Sequence, residues 1–284
     1  MEEKSFDTLE NVAIEAILTA FLDAFSDYEI KIEMPLEKFK EMLSTRSFCA
    51  RYSMGCFVDG KLAGFVLFGY REINGQKYGY DIATGIIKAY QKKGLGDLLL
   101  KALLSKMKEW GMDYFVLEVL ENNTPAQKLY LNNGFKISRK LNCYKKMLSK
   151  SAGETALEPV EGDEALQQID EPGYLSFAPS WQNALTSYQN IKSQYHLEIV
   201  RECGSVVGYG MIHKERGDIM QVGLAPEKRN KESVEELINR LGARTQSDKL
   251  SFLNVEDGSE LDKILRDLNF ESTVNQFEMI YEVK

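Results

Sequence analysis

Between Tyr80 and Phe135 the apolar positions change period three times. Tyr80-Asp81-Ile82-Ala83-Thr84-Gly85-Ile86-Ile87 is dense in β-branched and aromatic residues and predicts a strand. From Asp97 to Trp110, Leu98, Leu99, Ala102, Leu103 and Met107 recur at helical spacing. Tyr114–Val119 predicts a second strand, which Asn122 and Asn123 break. Thr124 suits an N-cap and Pro125 the first helical position, so a short helix follows with Ala126, Leu129 and Tyr130 on one side. Asn133-Gly134 ends it, glycine being suited to a left-handed cap, and Phe135–Ser138 starts another strand. Upstream, residues 10–50 read as a helical entry in which Ala20–Phe25 is amphipathic.

The second half repeats this order in worn form. Leu197–Arg201 and Ser205–His213 predict a hairpin around Glu202-Cys203-Gly204, and Ile219–Leu224 the next strand. A helix carries Val234, Leu237, Ile238 and Leu241; Leu250–Val255 is a strand and Glu260–Leu268 a helix. In the closing strand, Phe277–Val283, residues Phe277, Met279 and Tyr281 alternate along one face. The boundary between the halves falls near Ser149–Glu164, giving domains 1–150 and 151–284.

A length of 284 residues favours two domains, and a hydrophobic content of 44% supplies a sizeable core. The N-terminus has no apolar leader and no stretch reaches the apolar length of a membrane span, so a cytoplasmic protein is expected, with no membrane partner. Residues 1–150 carry 22 Lys and Arg against 19 Asp and Glu, a net of +3, while the remainder carries 13 against 24, a net of −11. That acidic half argues against a nucleic-acid partner; it would attract a cationic substrate or simply serve as a solvated surface. Four cysteines (Cys49, Cys56, Cys143, Cys203) without a CxxC pair, and only His196 and His213, give no zinc pattern, so no metal is expected.

The loop Gln91-Lys92-Lys93-Gly94-Leu95-Gly96 lies between the first strand and its helix. Free N–H groups and the helix dipole favour an anion there, glycines allow close backbone approach, and the lysines add charge. A loop of this kind is equally a tight turn with exposed lysines. A dinucleotide fold would want a third glycine where Leu99 stands.

Taken together, Q-K-K-G-L-G and N-x-x-A-x-x-L-Y-x-x-x-G-F, the latter from Asn123 through Tyr130 to Phe135, resemble the GNAT superfamily of N-acetyltransferases over about Phe48–Met147. The repeat, with Pro179-Ser180-Trp181-Gln182, resembles bacterial tandem-domain members. The resemblance implies an α/β fold of two tandem domains. Each would hold a mixed, mostly antiparallel sheet flanked by helices, with two parallel strands splayed at the first domain's cofactor site. It implies acetyl-CoA as cosubstrate and direct transfer of the acetyl group to a primary amine in a ternary complex. Backbone amides from Gln91, Lys92, Lys93, Gly94, Leu95 and Gly96 would hold the pyrophosphate. Ile86, with Ile87 after it, would offer backbone groups to pantetheine and the thioester oxygen, and Asn123, with Ala126, would meet the pantetheine arm. Tyr130 would protonate the leaving thiolate; without its motif it reads as a half-buried core aromatic. Asp81 and Glu118 are candidate bases, or strand-end carboxylates paired to neighbours. Phe25, Tyr28 and Met34 would line the acceptor pocket or pack in the core. The acceptor is expected to be an amine-bearing small molecule or a peptide, and the enzyme a monomer or homodimer. A non-catalytic acyl-CoA sensor is the alternative.

Aligning Arg229 with Gln91 puts Glu232 and Val234 where Gly94 and Gly96 stand, and aligning Phe270 with Phe135 puts Leu265 at Tyr130 and Asn269 at Gly134. A carboxylate and a β-branched side chain would spoil a pyrophosphate loop. The second domain is therefore expected to keep the fold without the cofactor.

Overall fold

The computed structural model describes residues 3–26, 34–148, 166, 167, 169 and 171–284. The chain forms two compact units, one of Met1–Ser138 with Glu278–Lys284 and one of Arg139–Phe277. This division differs from the one expected at residue 150. The stretch Ser149–Glu164 lies outside the described residues, and the first unit takes in residues 278–284. Hydrophobic alternation reports that a strand is half-buried but not which sheet it completes.

The first unit runs β1 (Lys4–Thr8), α1 (Ile14–Ala24), α2 (Leu36–Thr45), β2 (Met54–Val58), β3 (Lys61–Ile73), β4 (Gln76–Ile86), α3 (Leu95–Glu109), β5 (Tyr114–Leu120) and α4 (Thr124–Asn132). Its sheet has the order β1-β2-β3-β4-β5, antiparallel except for the β4–β5 pair. Residues 278–284 join it beside β5, where the Val283 amide donates to the Asp113 carbonyl at 2.8 Å.

Helices cover both faces of this sheet. Phe21 of α1 stacks on Phe65 of β3 with centroids 6.3 Å apart. Gly85 lets α1 approach closely, since a Cβ there would meet Phe65 at 2.6 Å and Ala24 at 2.9 Å. Phe68, three residues on and so on the opposite face, stacks on Phe115, which meets Phe135 after α4. α3 buries Leu95, Leu99, Leu100, Leu103, Leu104 and Met107. Leu98, expected in that stripe, is 44% exposed, because it falls off the face set by Leu95, Leu99, Leu103 and Met107 at helical spacing.

The second unit holds β6 (Lys136–Met147, from Arg139), a short turn α5 (Glu171–Tyr174), α6 (Leu185–Ile191), β7 (Tyr195–Glu202), β8 (Ser205–His213), β9 (Asp218–Leu224), α7 (Lys231–Gly242), β10 (Lys249–Glu256), α8 (Glu260–Asp267) and β11 (Glu271–Glu282, to Phe277). Its strand order is β11-β6-β10-β9-β8-β7, with β9 and β10 parallel. The main core gathers Ile219, Val222, Val234, Leu241, Phe252 and Leu265 with their neighbours. β11 starts six residues earlier than expected because its first four residues are exposed and carry no apolar alternation.

The repeat read from the sequence is a repeat in space. Gly64 pairs with Ile86 in the first unit and Gly208 with Leu224 in the second. Ile87 donates to the Ala63 carbonyl and Ala225 to the Val207 carbonyl, each at 2.9 Å. Among the described residues no helix is long and apolar enough to cross a membrane.

Candidate active site

The β4–β5 ladder ends after three rungs, Tyr78↔Tyr114, Gly79↔Phe115 and Tyr80↔Val116. β4 runs on to Ile86 and β5 to Leu120, so the two parallel strands part beyond Tyr80. A bulge at Ile82 sharpens the bend, since Leu67 faces Ala83 while Phe68 faces Asp81. An extra residue of this kind kinks a strand and re-aims its side chains.

Asp81 is the first β4 residue past the last rung, and it is 7% exposed. The Tyr130 hydroxyl, from α4, donates to its Oδ2 at 2.9 Å, and the Thr84 hydroxyl donates to the same oxygen at 2.6 Å. Its Oδ1 is buried and receives no hydrogen bond. Burial pushes this carboxyl up to about 6, against the pull of the Thr84 and Tyr130 hydroxyls. Tyr130 is itself 7% exposed and packs edge-on to Phe135 at 5.3 Å. Thr84 is the member of this group that no motif in the sequence singles out. Its spacing of three from Asp81 becomes informative only with the bulge between them.

Glu118 belongs to a different group. Tyr80 and Asp81 are adjacent on β4 and point to opposite faces, and the Tyr80 hydroxyl donates to Glu118 Oε2. Arg71, 6% exposed, lies near both; it donates to Ser47 Oγ at 3.0 Å and to the Thr45 carbonyl at 3.2 Å. Burial draws its guanidinium down to about 10, partly offset by Tyr80 and Glu118. The two candidate bases are thus on opposite faces, and Asp81 is the one bonded to Tyr130.

After β4 a short 3-10 turn, Lys88–Tyr90, leads into the glycine loop. Gln91 folds back, its Nε2 donating to the Ile86 carbonyl at 2.9 Å. Lys92 and Gly94 take left-handed φ values of 59° and 76°. Gly94 is the N-cap of α3 and no side chain caps it, so the first α3 amides are left without one. A Cβ on Gly94 would meet nothing within 4 Å; its backbone conformation is what calls for glycine. Lys92 and Lys93 are exposed, with the Lys93 ammonium 5.4 Å from the Tyr90 ring centre. Both backbone groups of Ile87 are engaged, the amide with Ala63 and the carbonyl with Tyr90. Asp97 accepts from Asn133 Nδ2 at 2.9 Å and ties the first turn of α3 to the end of α4.

Asn123, not Thr124, is the N-cap of α4; its Oδ1 accepts from the Ala126 amide at 3.2 Å, and Thr124 is the first helical residue. Asn and Thr are both good caps, and only the backbone separates them. Of the residues expected to line the acceptor pocket or pack in the core, Phe25 has its ring centre 4.9 Å from that of Phe21 and Met34 is half-buried. Tyr28 lies outside the described residues.

The second unit shows what the same frame does without these groups. Its bulge falls at Met220, with Met211 facing Gln221 and Ile212 facing Ile219. By register, Asp81 corresponds to Ile219, Thr84 to Val222 and Tyr130 to Leu265, all buried in one apolar cluster. Arg229 repeats the Gln91 fold-back, donating to the Leu224 carbonyl at 3.0 Å. At the head of α7, however, Asn230 caps the helix, its Oδ1 accepting from the Ser233 amide at 2.9 Å. Val234 is 4% exposed in the core. Asn183 also reaches between the parted strands, its carbonyl accepting from Gln221 on β9 and its Nδ2 donating to the Leu253 carbonyl on β10. Among the described residues no three His, Cys, Asp or Glu side chains gather as a metal site.

Comparison with known proteins agrees with this geometry. The acetyltransferase (GNAT) family model matches residues 14–135. A probable spermine N(1)-acetyltransferase of Bacillus subtilis subsp. natto is 33% identical over 112 residues, which is 37% of this chain and 74% of that protein. The crystal structure of a GCN5-related N-acetyltransferase from Sphaerobacter thermophilus superposes with a TM-score of 0.70 at 14% identity, covering 99% of this chain and 96% of that one. A tandem GNAT protein from the clavulanic acid biosynthesis pathway superposes with a TM-score of 0.62 at 12% identity over 99% of both chains. Uncapped glycine loop, parted parallel strands and sequence kinship converge: the chain belongs to the acetyltransferase (GNAT) family and is an acyltransferase of the N-acetyltransferase type.

Proposed function

We infer that the first unit transfers the acetyl group of acetyl-CoA directly to a primary amine in a ternary complex, without an acyl-enzyme. The observation that carries this reading is an uncapped, glycine-headed helix that follows a β4–β5 ladder ending after three rungs. In it, the amides from Gln91 to Gly96, with Lys92 and Lys93 beside them, hold the pyrophosphate. The pantetheine arm takes the gap between β4 and β5, against Ile86, Asn123 and Ala126. Ile87, its backbone groups engaged, contributes shape only.

Amine attack on the thioester needs a neutral nucleophile, a donor for the carbonyl oxygen and a proton for the departing sulfur. A strand amide beside the gap serves as an oxyanion donor. Tyr130 is the proton source for the sulfur, a step worth roughly 10²–10⁴-fold. The acceptor is a small-molecule or peptide amine; the name of the Bacillus relative makes spermine the first to try. We read the enzyme as cytoplasmic and as a monomer or homodimer; all four cysteines are free thiols, in keeping with a reducing compartment. The test is thiol release from acetyl-CoA with spermine, spermidine, an aminoglycoside, a peptide with a free N-terminus and a lysine peptide. Turnover with at least one amine is expected. Tight CoA binding with no turnover on any of them would replace the enzyme with an acyl-CoA sensor.

A further inference from the structure

In the second unit the space between the parted strands is filled by the chain itself. The β9–β10 ladder ends after two rungs, Ser251↔Asp218 and Phe252↔Ile219, while β9 runs on to Leu224 and β10 to Glu256. Strand edges that have lost their ladder leave backbone groups in need of partners. Residues 173–183 run along this opening. Leu175, Phe177 and Pro179 line one pocket with Met220 on β9 and with Leu253 and Val255 on β10. Tyr174 and Ser176 line a second with Leu224, Arg229 and Val234. Alternate side chains thus go to different sides, as they do along an extended chain. Both apolar clusters of the unit meet this segment, Phe177 packing against one and Tyr174 and Leu175 against the other.

The segment is gripped by its main chain. Arg229 donates to the Gly173 carbonyl, Arg139 to that of Ala178 at 2.5 Å and Gln221 to that of Asn183 at 2.7 Å. Each donor is steadied by a second contact: Arg229 by the Leu224 carbonyl at 3.0 Å, Arg139 by Glu256 at 2.9 Å and Gln221 by the Tyr209 hydroxyl at 2.8 Å. At the end of the segment Asn183 reaches β10, its Nδ2 donating to the Leu253 carbonyl at 2.6 Å, and the Ser180 hydroxyl accepts from Asn254 at 3.1 Å. By register the first unit has Ala83 where Gln221 stands, a side chain too short to reach across a gap.

We propose that the opening between β9 and β10 is a peptide-binding groove, read through main-chain carbonyls by Arg229, Arg139 and Gln221, and that its occupant is the chain's own residues 173–183. The ligand class follows from the donors and the pockets. All three side chains spend a hydrogen bond on a peptide carbonyl of the segment, and apolar pockets take its side chains alternately, the two marks of extended-peptide recognition. An anionic ligand is not favoured here, since Asn230 caps the head of α7. The groove stands whether or not the first unit transfers acetyl groups.

Hydrogen exchange on the intact full chain is the first test. Residues 173–183, 220–224 and 253–255 should open together as one cooperative unit. The second test pairs the Phe177→Ala/Asn183→Ala variant with a synthetic peptide of residues 171–184, read by calorimetry and exchange. Amides of residues 220–224 should exchange about tenfold faster in the variant. The peptide of native sequence should bind the variant and restore that protection, and it should not bind the wild type, whose groove is full. A peptide carrying the same two changes should bind the variant at least about tenfold more weakly. A segment that exchanges independently of β9 and β10 in the wild type, wild-type protection in the variant, or equal affinity for the two peptides overturns the proposal. Should the double variant not fold, the wild-type exchange pattern decides, with Asn183→Ala as the milder probe.

Discussion

Asp81 carries a cost that can be measured apart from any reaction. Its carboxyl titrates near 6 in the folded protein against an ordinary value of 3.8. A raised acid pKa means that the folded state holds its proton more tightly than the unfolded chain does. Stability from this residue is therefore greatest below the unfolded value and is lost as pH rises through about 4 to 6. At 1.36 kcal/mol per pKa unit the penalty at neutral pH is about 3 kcal/mol. Asn in its place removes the charge but buries an unpartnered amide at the Oδ1 position. We expect Asp81→Asn to raise stability by about 1–2 kcal/mol at pH 7.5 and to show no gain at pH 4, read from thermal unfolding at both pH values. A variant that is less active and more stable would mark Asp81 as a functional group rather than a structural one. Tyr130 was legible in the sequence because its motif has fixed spacing. Asp81 was legible only as one of two candidates, because the bulge that turns it toward Tyr130 leaves no mark in the residue types. Thr84 was not legible at all.

Two helix starts carry the element-scale predictions. Gly94 opens α3 at a φ of 76°, and Gly94→Ala would pay about 1–2 kcal/mol of left-handed strain there while weakening CoA binding, with no steric clash to add. Asn123 has two separable duties. Its Oδ1 caps α4, and its Nδ2 remains the donor for a ligand in the proposed site. Asn123→Asp keeps the acceptor, so stability should hold while CoA affinity falls; Asn123→Ala should lose both, the cap costing about 1 kcal/mol. Equal CoA affinity in Asn123→Asp and wild type, by calorimetry, would reduce Asn123 to a cap alone. At this scale the sequence was a good guide to strand and helix order and a poor one to ends. β10 and α8 were read within one residue, whereas β11 was read six residues short because exposed Glu271–Val274 lack a pattern.

At the scale of the whole molecule the two repeats differ where their helices begin. One unit leaves its helix head uncapped beside Asp81, Thr84 and Tyr130, and the other caps the helix and fills the corresponding positions with Ile219, Val222 and Leu265. Calorimetry should accordingly give about one CoA per chain; two equivalents would show that Glu232 and Val234 do not exclude the cofactor. CoA at about 100 times its dissociation constant should add roughly 2.7 kcal/mol to the stability of the unit that binds it. The expectation that the second unit lacks a cofactor site came from Glu232 and Val234 standing where glycines are needed. The Asn230 cap and the Asn183 bridge were not legible, being matters of backbone direction. Nor was the make-up of the units, because residues 278–284 alternate as any closing strand does. That make-up governs birth as well as form. A nascent chain released from the ribosome tunnel only as far as residue 150 still lacks the seven residues that finish its first sheet beside Tyr114–Leu120. The first unit, though translated first, can close its sheet only after residues 139–277 have been synthesised.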